Sequence, residues 1–235
     1  MSQKYDLTDI GNAISKAMDN PVVEIIRSGS VGALGLANPV LGVAAGIGNE
    51  ILSKYNDFKL SFLLSGLASE RSIEMRLNQL YTYVTSSSEK AIIVANLFKK
   101  TINAECHKVC IIYGLMMASH LEADTRFTYD ELIISKALES ATDYDLENFK
   151  KIMENYLKPT SKGRRVVFPN GFSEISTFTT TCDWCVFNRL FVSRMAEWEE
   201  MGEETLDLST YYYEANPASV LLDYINDASQ IWNYS

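Results

Sequence analysis

Two short cysteine pairs are the residues best spaced for chemistry. Cys106, His107 and Cys110 form CHKVC, and Cys182 and Cys185 form CDWC. Four thiolates in two close pairs match the donor set of a structural zinc site. A CxxC pair can also cycle between dithiol and disulfide, but that chemistry is usually carried on a βαβ unit, which is not evident around CDWC. The competing reading is packing. Cys106 and Cys110 are one helical turn apart in an apolar run with Ile102, Val109 and Tyr113, where free cysteine acts as a small core residue. That reading is preferred, and no metal or cofactor is expected.

The two histidines, His107 and His120, lie thirteen positions apart on one predicted helix. At helical rise that is about 20 Å, too far for one metal ion. Carboxylates gather at Asp143, Asp145 and Glu147, and again at Glu197, Glu199, Glu200, Glu203 and Glu204. Helix capping accounts for the first group and a solvated turn for the second. The phosphate-binding, nucleophile-elbow and zinc-protease signatures do not occur in the chain. A net charge of −9 over 235 residues works against general nucleic-acid binding. Only Lys99-Lys100, Lys150-Lys151 and the stretch Lys158–Arg165 offer local positive charge.

The elements that would position these residues are mostly helices. Residues 1–27 read as a short amphipathic helix ended by Asn20-Pro21. Long helices are expected at 50–84, with a kink at Ser65-Gly66, and at 89–122, the latter apolar on most of its circumference. Capping boxes at Thr128–Glu131 and Thr142–Asp145 open helices at 129–140 and 143–157. Residues 159–171 read as a polar, basic loop, and 183–191 as a helix. The runs Val192–Trp198 and Thr205–Tyr213 read as a hairpin, and Asn216-Pro217 opens a last helix. The expected fold is mainly α: a helical bundle over 1–123 and a winged-helix-like module with a small β-hairpin over 124–235.

One segment departs from this pattern. From Ser28 to Asn49 no residue is charged, and six of the twelve glycines lie there. Gly42 and Gly46 are one turn apart, a spacing that lets helix backbones approach closely. Pro39 interrupts the run, so two short apolar helices are expected, 30–37 and 39–48. Val31, Leu34, Leu36, Val40, Leu41, Gly42, Val43, Gly46 and Ile47 would meet a membrane or a partner's helices. In the C-terminal module the acidic turn faces phosphate badly, whereas aromatics abound. Trp184, Arg189, Trp198 and Tyr212 are therefore expected to contact a protein partner.

The runs NPVLGVAAGIGNEILSKYNDFKLSFLLSGLA (38–68) and SEKAIIVANLFKKTINAECHKVCIIYGLMMASHLE (88–122) resemble bacterial and prophage-borne helical proteins, in particular the abortive-infection alpha group of phage-defence proteins. The resemblance spans residues 30–123 and transfers no catalytic residue. It implies a setting in phage–host conflict.

The expected function is then a non-enzymatic defence or accessory protein acting through its glycine-rich segment. It would be cytoplasmic, with peripheral contact at the inner face of the membrane, and able to form homo-oligomers. One alternative is a soluble adaptor with the segment packed in its own core. Another is a nuclease or other hydrolase of unrecognised type.

Overall fold

The computed structural model describes residues 50–69, 71–169, 173–195 and 210–232. The protein is mainly helical with one small antiparallel sheet. The glycine-rich segment and all nine of its predicted contact residues, from Val31 to Ile47, lie outside the described residues, as does Trp198. Packing divides the chain into two compact units. One takes the described residues up to Phe127 together with those from Asp227 on, and the other takes Thr128–Asn226.

The first unit is built on α1 (Glu50–Leu67), α2 (Ile73–Ser86), α3 (Ser88–Asn103) and α4 (His107–Ala123). Helix α4 is buried along nearly its whole length, including Val109 to Gly114 and Met116 to Ala118, as suits a central helix apolar on all sides. It crosses α1 at two glycines. A Cβ added to Gly66 would meet the Ile111 carbonyl oxygen at 2.2 Å, and one added to Gly114 would meet the Leu63 carbonyl oxygen at 2.1 Å. The two backbones therefore touch directly, a contact that admits only hydrogen at each Cα.

Each of the two long helices expected from periodicity is two helices. The first breaks between Leu67 and Ile73, where the Ser72 hydroxyl accepts the Met75 N–H at 3.4 Å and caps α2. The expected kink at Ser65-Gly66 is instead the helix crossing. The second breaks at Ala104–Cys106, and Lys59 Nζ donates to the Ile102 carbonyl at 2.7 Å, satisfying a terminal acceptor of α3. Polar groups in this unit are drawn together across helices. Arg76 is 1% exposed and donates to Gln79 Oε1 and to the Ala118 and Glu122 oxygens. Glu122 also accepts from Arg71, whose hydrogen bond and charge, with a smaller effect of Arg76, hold its carboxyl below the usual range.

The second unit opens with α5 (Tyr129–Ala137), a 3-10 turn (Leu138–Ser140), α6 (Asp143–Lys151) and a π turn (Ile152–Tyr156). Both predicted capping boxes form. Thr128 and Glu131 exchange bonds at 3.2 and 2.8 Å, and Thr142 and Asp145 at 3.3 and 2.9 Å. Then come β1 (Leu157–Thr160), β2 (Gly163–Val166), α7 (Ile175–Phe187), β3 (Phe191–Met195), β4 (Thr210–Glu214) and α8 (Asn216–Trp232). The strands form one antiparallel sheet in the order β1-β2-β4-β3. The stretch read as a basic loop at 159–171 thus holds most of a hairpin, and the pair β3–β4 is one half of a larger sheet. Helix α7 begins eight residues before its expected start. Phe178, Thr181, Cys182 and Cys185 form its buried stripe. One sheet face carries Leu157, Val166, Phe191 and Tyr212 inward, and Phe149 meets Phe191 with ring centroids 6.1 Å apart.

Candidate protein-binding face

The residues with catalytic chemistry hold structural positions. None of the four cysteines is in a disulfide, and all are buried. Burial pushes Cys110 and Cys182 up to about 12 and Cys185 well above its ordinary value, so each is a neutral thiol near neutral pH and a weak nucleophile. Cys110 Sγ lies 3.7 Å from the Cys106 and Thr101 carbonyls. Among the described residues no three of His, Cys, Asp and Glu come together as a metal site. His107 stacks on Phe62, with centroids 5.1 Å apart, and on Trp232, with Phe58 edge-on. His120 stacks on Phe127 at 4.2 Å and its Nδ1 shares a hydrogen bond with the Thr125 hydroxyl. A groove of about 620 Å³ beside α2 is lined by groups already engaged: Gln79 accepts from Arg76, Tyr83 donates to the Thr125 carbonyl, and Asp124 pairs with Lys90.

The buried thiols give a pH dependence of known sign. Unfolded cysteine ionises near 9, whereas Cys110 and Cys182 hold their protons up to about 12. Their contribution is complete below pH 9 and is lost as pH rises from there towards 12. Urea unfolding at about pH 10 is expected to give about 1 kcal/mol less stability per thiol than at neutral pH, a deficit that Cys110→Ala and Cys182→Ala remove for their own sites.

Exposed large apolar side chains occur in both units, and the three most exposed, Phe187, Tyr144 and Tyr129, are in the second. The capping box fixes the first turn of α5, and the Tyr224 hydroxyl donates to Glu131 Oε1 at 3.1 Å from α8. With Glu131 turned inward, Tyr129 and Leu132 point to solvent, 65% and 47% exposed. Phe187, the last residue of α7, is 85% exposed. Just beyond it the chain turns through Arg189, whose φ of +60° is left-handed. The turn is a Schellman motif: Leu190 N–H bonds to the Cys185 carbonyl at 2.8 Å and Arg189 N–H to the Val186 carbonyl at 3.0 Å. Glycine is the usual residue at that position, because a side chain in the left-handed region costs about 1 kcal/mol. The Arg189 guanidinium meanwhile reaches the surface and donates to the Tyr129 hydroxyl at 2.9 Å.

Arg189 is therefore on the surface, joined to Tyr129 and two residues from Phe187. Trp184 is half-buried, with its indole N–H enclosed and without an acceptor among the described residues. Tyr212 is buried at 6% exposure, and its hydroxyl donates to Asp183 at 2.8 Å. Burial and that carboxylate together raise its phenol. Its ring belongs to the interior of this unit, and the expected surface contact at Tyr212 is corrected accordingly. Tyr129 and Leu132 were not singled out by sequence as contact residues, and Phe187 only as one of the aromatics of the C-terminal module. Periodicity assigns an apolar residue to the core, and an aromatic at the last position of a helix has no pattern to place it outside.

No protein-family model, no characterised protein and no solved structure matches the chain. Among the described residues no helix is long and apolar enough to cross a membrane.

Proposed function

We propose that the protein is a non-enzymatic interaction protein whose second unit docks a protein partner on the face formed by Tyr129, Leu132, Phe187 and Arg189. The observation that carries this reading is Arg189. A non-glycine residue held in a left-handed conformation is retained against a local cost, and its guanidinium is held on the hydroxyl of the exposed Tyr129. Arginine and aromatics are the residues that dominate protein–protein contacts. The chemistry fits a partner segment with an apolar side chain next to a carboxylate. The first seats against Phe187 and Leu132, and the second against the donors of Arg189 that Tyr129 leaves available.

A photo-crosslinking residue at position 187 tests this in the producing cell. A discrete adduct is expected there, and it is expected to vanish when Arg189→Glu is added. The same probe at Tyr144, which is 78% exposed and belongs to α6, is the control. Equal labelling at both positions, or none at 187, refutes the docking face. An adduct with a second copy of the chain identifies the partner as itself.

The order α5, α6, α7, β3, β4, α8 supports a winged-helix-like reading of this unit, with the β1–β2 hairpin as an addition. A second reading of function rests on sequence: the uncharged run from Ser28 to Asn49 contacts a membrane or a partner's helices. Flotation with liposomes of the full chain, against Gly42→Leu/Gly46→Leu, decides it. The phage-conflict setting is supported by the resemblance over residues 30–123 alone.

A further inference from the structure

The two edges of the sheet in the second unit differ. In the order β1-β2-β4-β3, strands β1 and β3 each have a neighbour on one side only among the described residues. An edge strand turns alternate N–H and C=O groups outward, where another chain can pair with them. Strand β1 is guarded. Pro159 has no N–H to offer, and Lys158 beside it is an exposed charge. Strand β3 contains no proline. All five of its residues are in register with β4, and among the described residues the main chain from Val192 to Arg194 bonds to no other element. Val192, Ser193 and Arg194 are consecutive and all exposed. Side chains alternate between the two faces, so three exposed in a row leave both faces of the strand open at this edge.

Charge and size decide what fits there. From Phe187 to Met195 the only charged residues are Arg189 and Arg194. Arg194 is two residues from Val192 and shares its face, and its guanidinium carbon lies 5.1 Å from the Tyr213 ring centroid. A ring takes one side of a guanidinium plane and leaves the N–H donors around its rim, which suit a carboxylate. A strand of five residues is about 17 Å long. Two copies joined edge to edge over that length alone fall short of the about 1,200 Å² of a stable interface. Each copy also carries a net charge of −9, which opposes self-association. A transiently held extended segment needs less area, because its main chain supplies the pairing.

We infer that β3 receives a strand from a partner protein, an extended segment with an apolar side chain opposite Val192 and a carboxylate opposite Arg194. The outward N–H and C=O groups of β3 hold the main chain of that segment, and the two side chains select its sequence. This edge is additional to the face around Phe187 and does not depend on it.

The test is fluorescence anisotropy of the full-length protein with a labelled heptapeptide, Thr-Asp-Thr-Val-Thr-Asp-Thr. Its valine and both aspartates share one face, so the pattern fits β3 in either direction. Saturable binding below about 1 mM is expected, as for a small transient contact. Two further peptides carry N-methyl groups on alternate residues, one on the valine and aspartates and the other on the two inner threonines. A strand paired along one edge directs only one of these sets of N–H groups at its neighbour. One methylated peptide is therefore expected to lose at least about tenfold in affinity and the other less than about threefold. Arg194→Glu is expected to weaken the aspartate peptide at least about tenfold and to favour its lysine counterpart, with circular dichroism confirming an intact fold. The inference is overturned if the aspartate peptide does not bind, if both methylated peptides bind like the parent, or if Arg194→Glu still prefers aspartate to lysine. A wild-type dimer in light scattering that becomes monomeric in Val192→Asp also overturns it and assigns the edge to a second copy.

Discussion

Alanine at Gly114 is expected to destabilise the first unit by about 2–4 kcal/mol, although alanine is the better helix former by about 1 kcal/mol. The added Cβ would sit 2.1 Å from the Leu63 carbonyl oxygen and 2.7 Å from the Leu67 nitrogen. Both are backbone atoms of α1, so no rotamer change relieves the clash and the helices must separate. Separation would loosen a core around α4 in which Val109, Ile111, Tyr113 and Met116 are fully buried. Gly66→Ala presses on the same crossing from the other side, against the Ile111 carbonyl. The two losses are therefore expected to add incompletely, because one displacement accommodates both methyl groups. Urea unfolding followed by circular dichroism of the single and double variants checks this. A wild-type midpoint for either single variant would show that the backbones are not in contact.

Arg189→Gly has the opposite sign for stability. Its φ of +60° is unfavourable for arginine and ordinary for glycine. The substitution is expected to raise stability by up to about 1 kcal/mol, offset in part by the lost bond to Tyr129 and by the greater freedom of glycine in the unfolded chain. Partner capture by the face around Phe187 should fall at least tenfold, the typical loss when a central arginine is removed. A gain in melting temperature with a loss in binding separates a functional arginine from a structural one. If stability falls, or if binding is untouched, Arg189 has a role in the fold and the docking face loses its main support.

The parts of this architecture written in local sequence were readable. The boxes Thr128–Glu131 and Thr142–Asp145 place side-chain acceptors three residues apart, and the helices start where those boxes put them. Asn216-Pro217 also marks a start, since α8 begins at Asn216. Breaks without punctuation were not readable. Neither Ala68–Ser72 nor Ala104–Cys106 contains glycine or proline, and apolar periodicity runs through both, so each pair of helices looked like one. Strand β1 contains Pro159, which argues against a strand unless it lies at an edge, and edge position depends on partners distant in sequence. The Ser- and Thr-rich start of α7 has weak helix propensity and is helical because Phe178, Thr181, Cys182 and Cys185 are buried on one side. The candidate face was legible only at Arg189. The exposure of Phe187 is set by where α7 stops, which the Schellman turn decides.

The hydroxyls of α7 carry a last consequence. Thr179 donates to the Ile175 carbonyl at 2.8 Å and Thr180 to the Ser176 carbonyl at 2.9 Å. Thr180, Asp183 and Phe187 share one side of the helix by spacing. A threonine whose hydroxyl is turned back to its own main chain shows its methyl group to the surroundings. Thr180 thus adds a methyl group to that side, and the polar group left between it and Phe187 is the Asp183 carboxylate, which accepts from Tyr212.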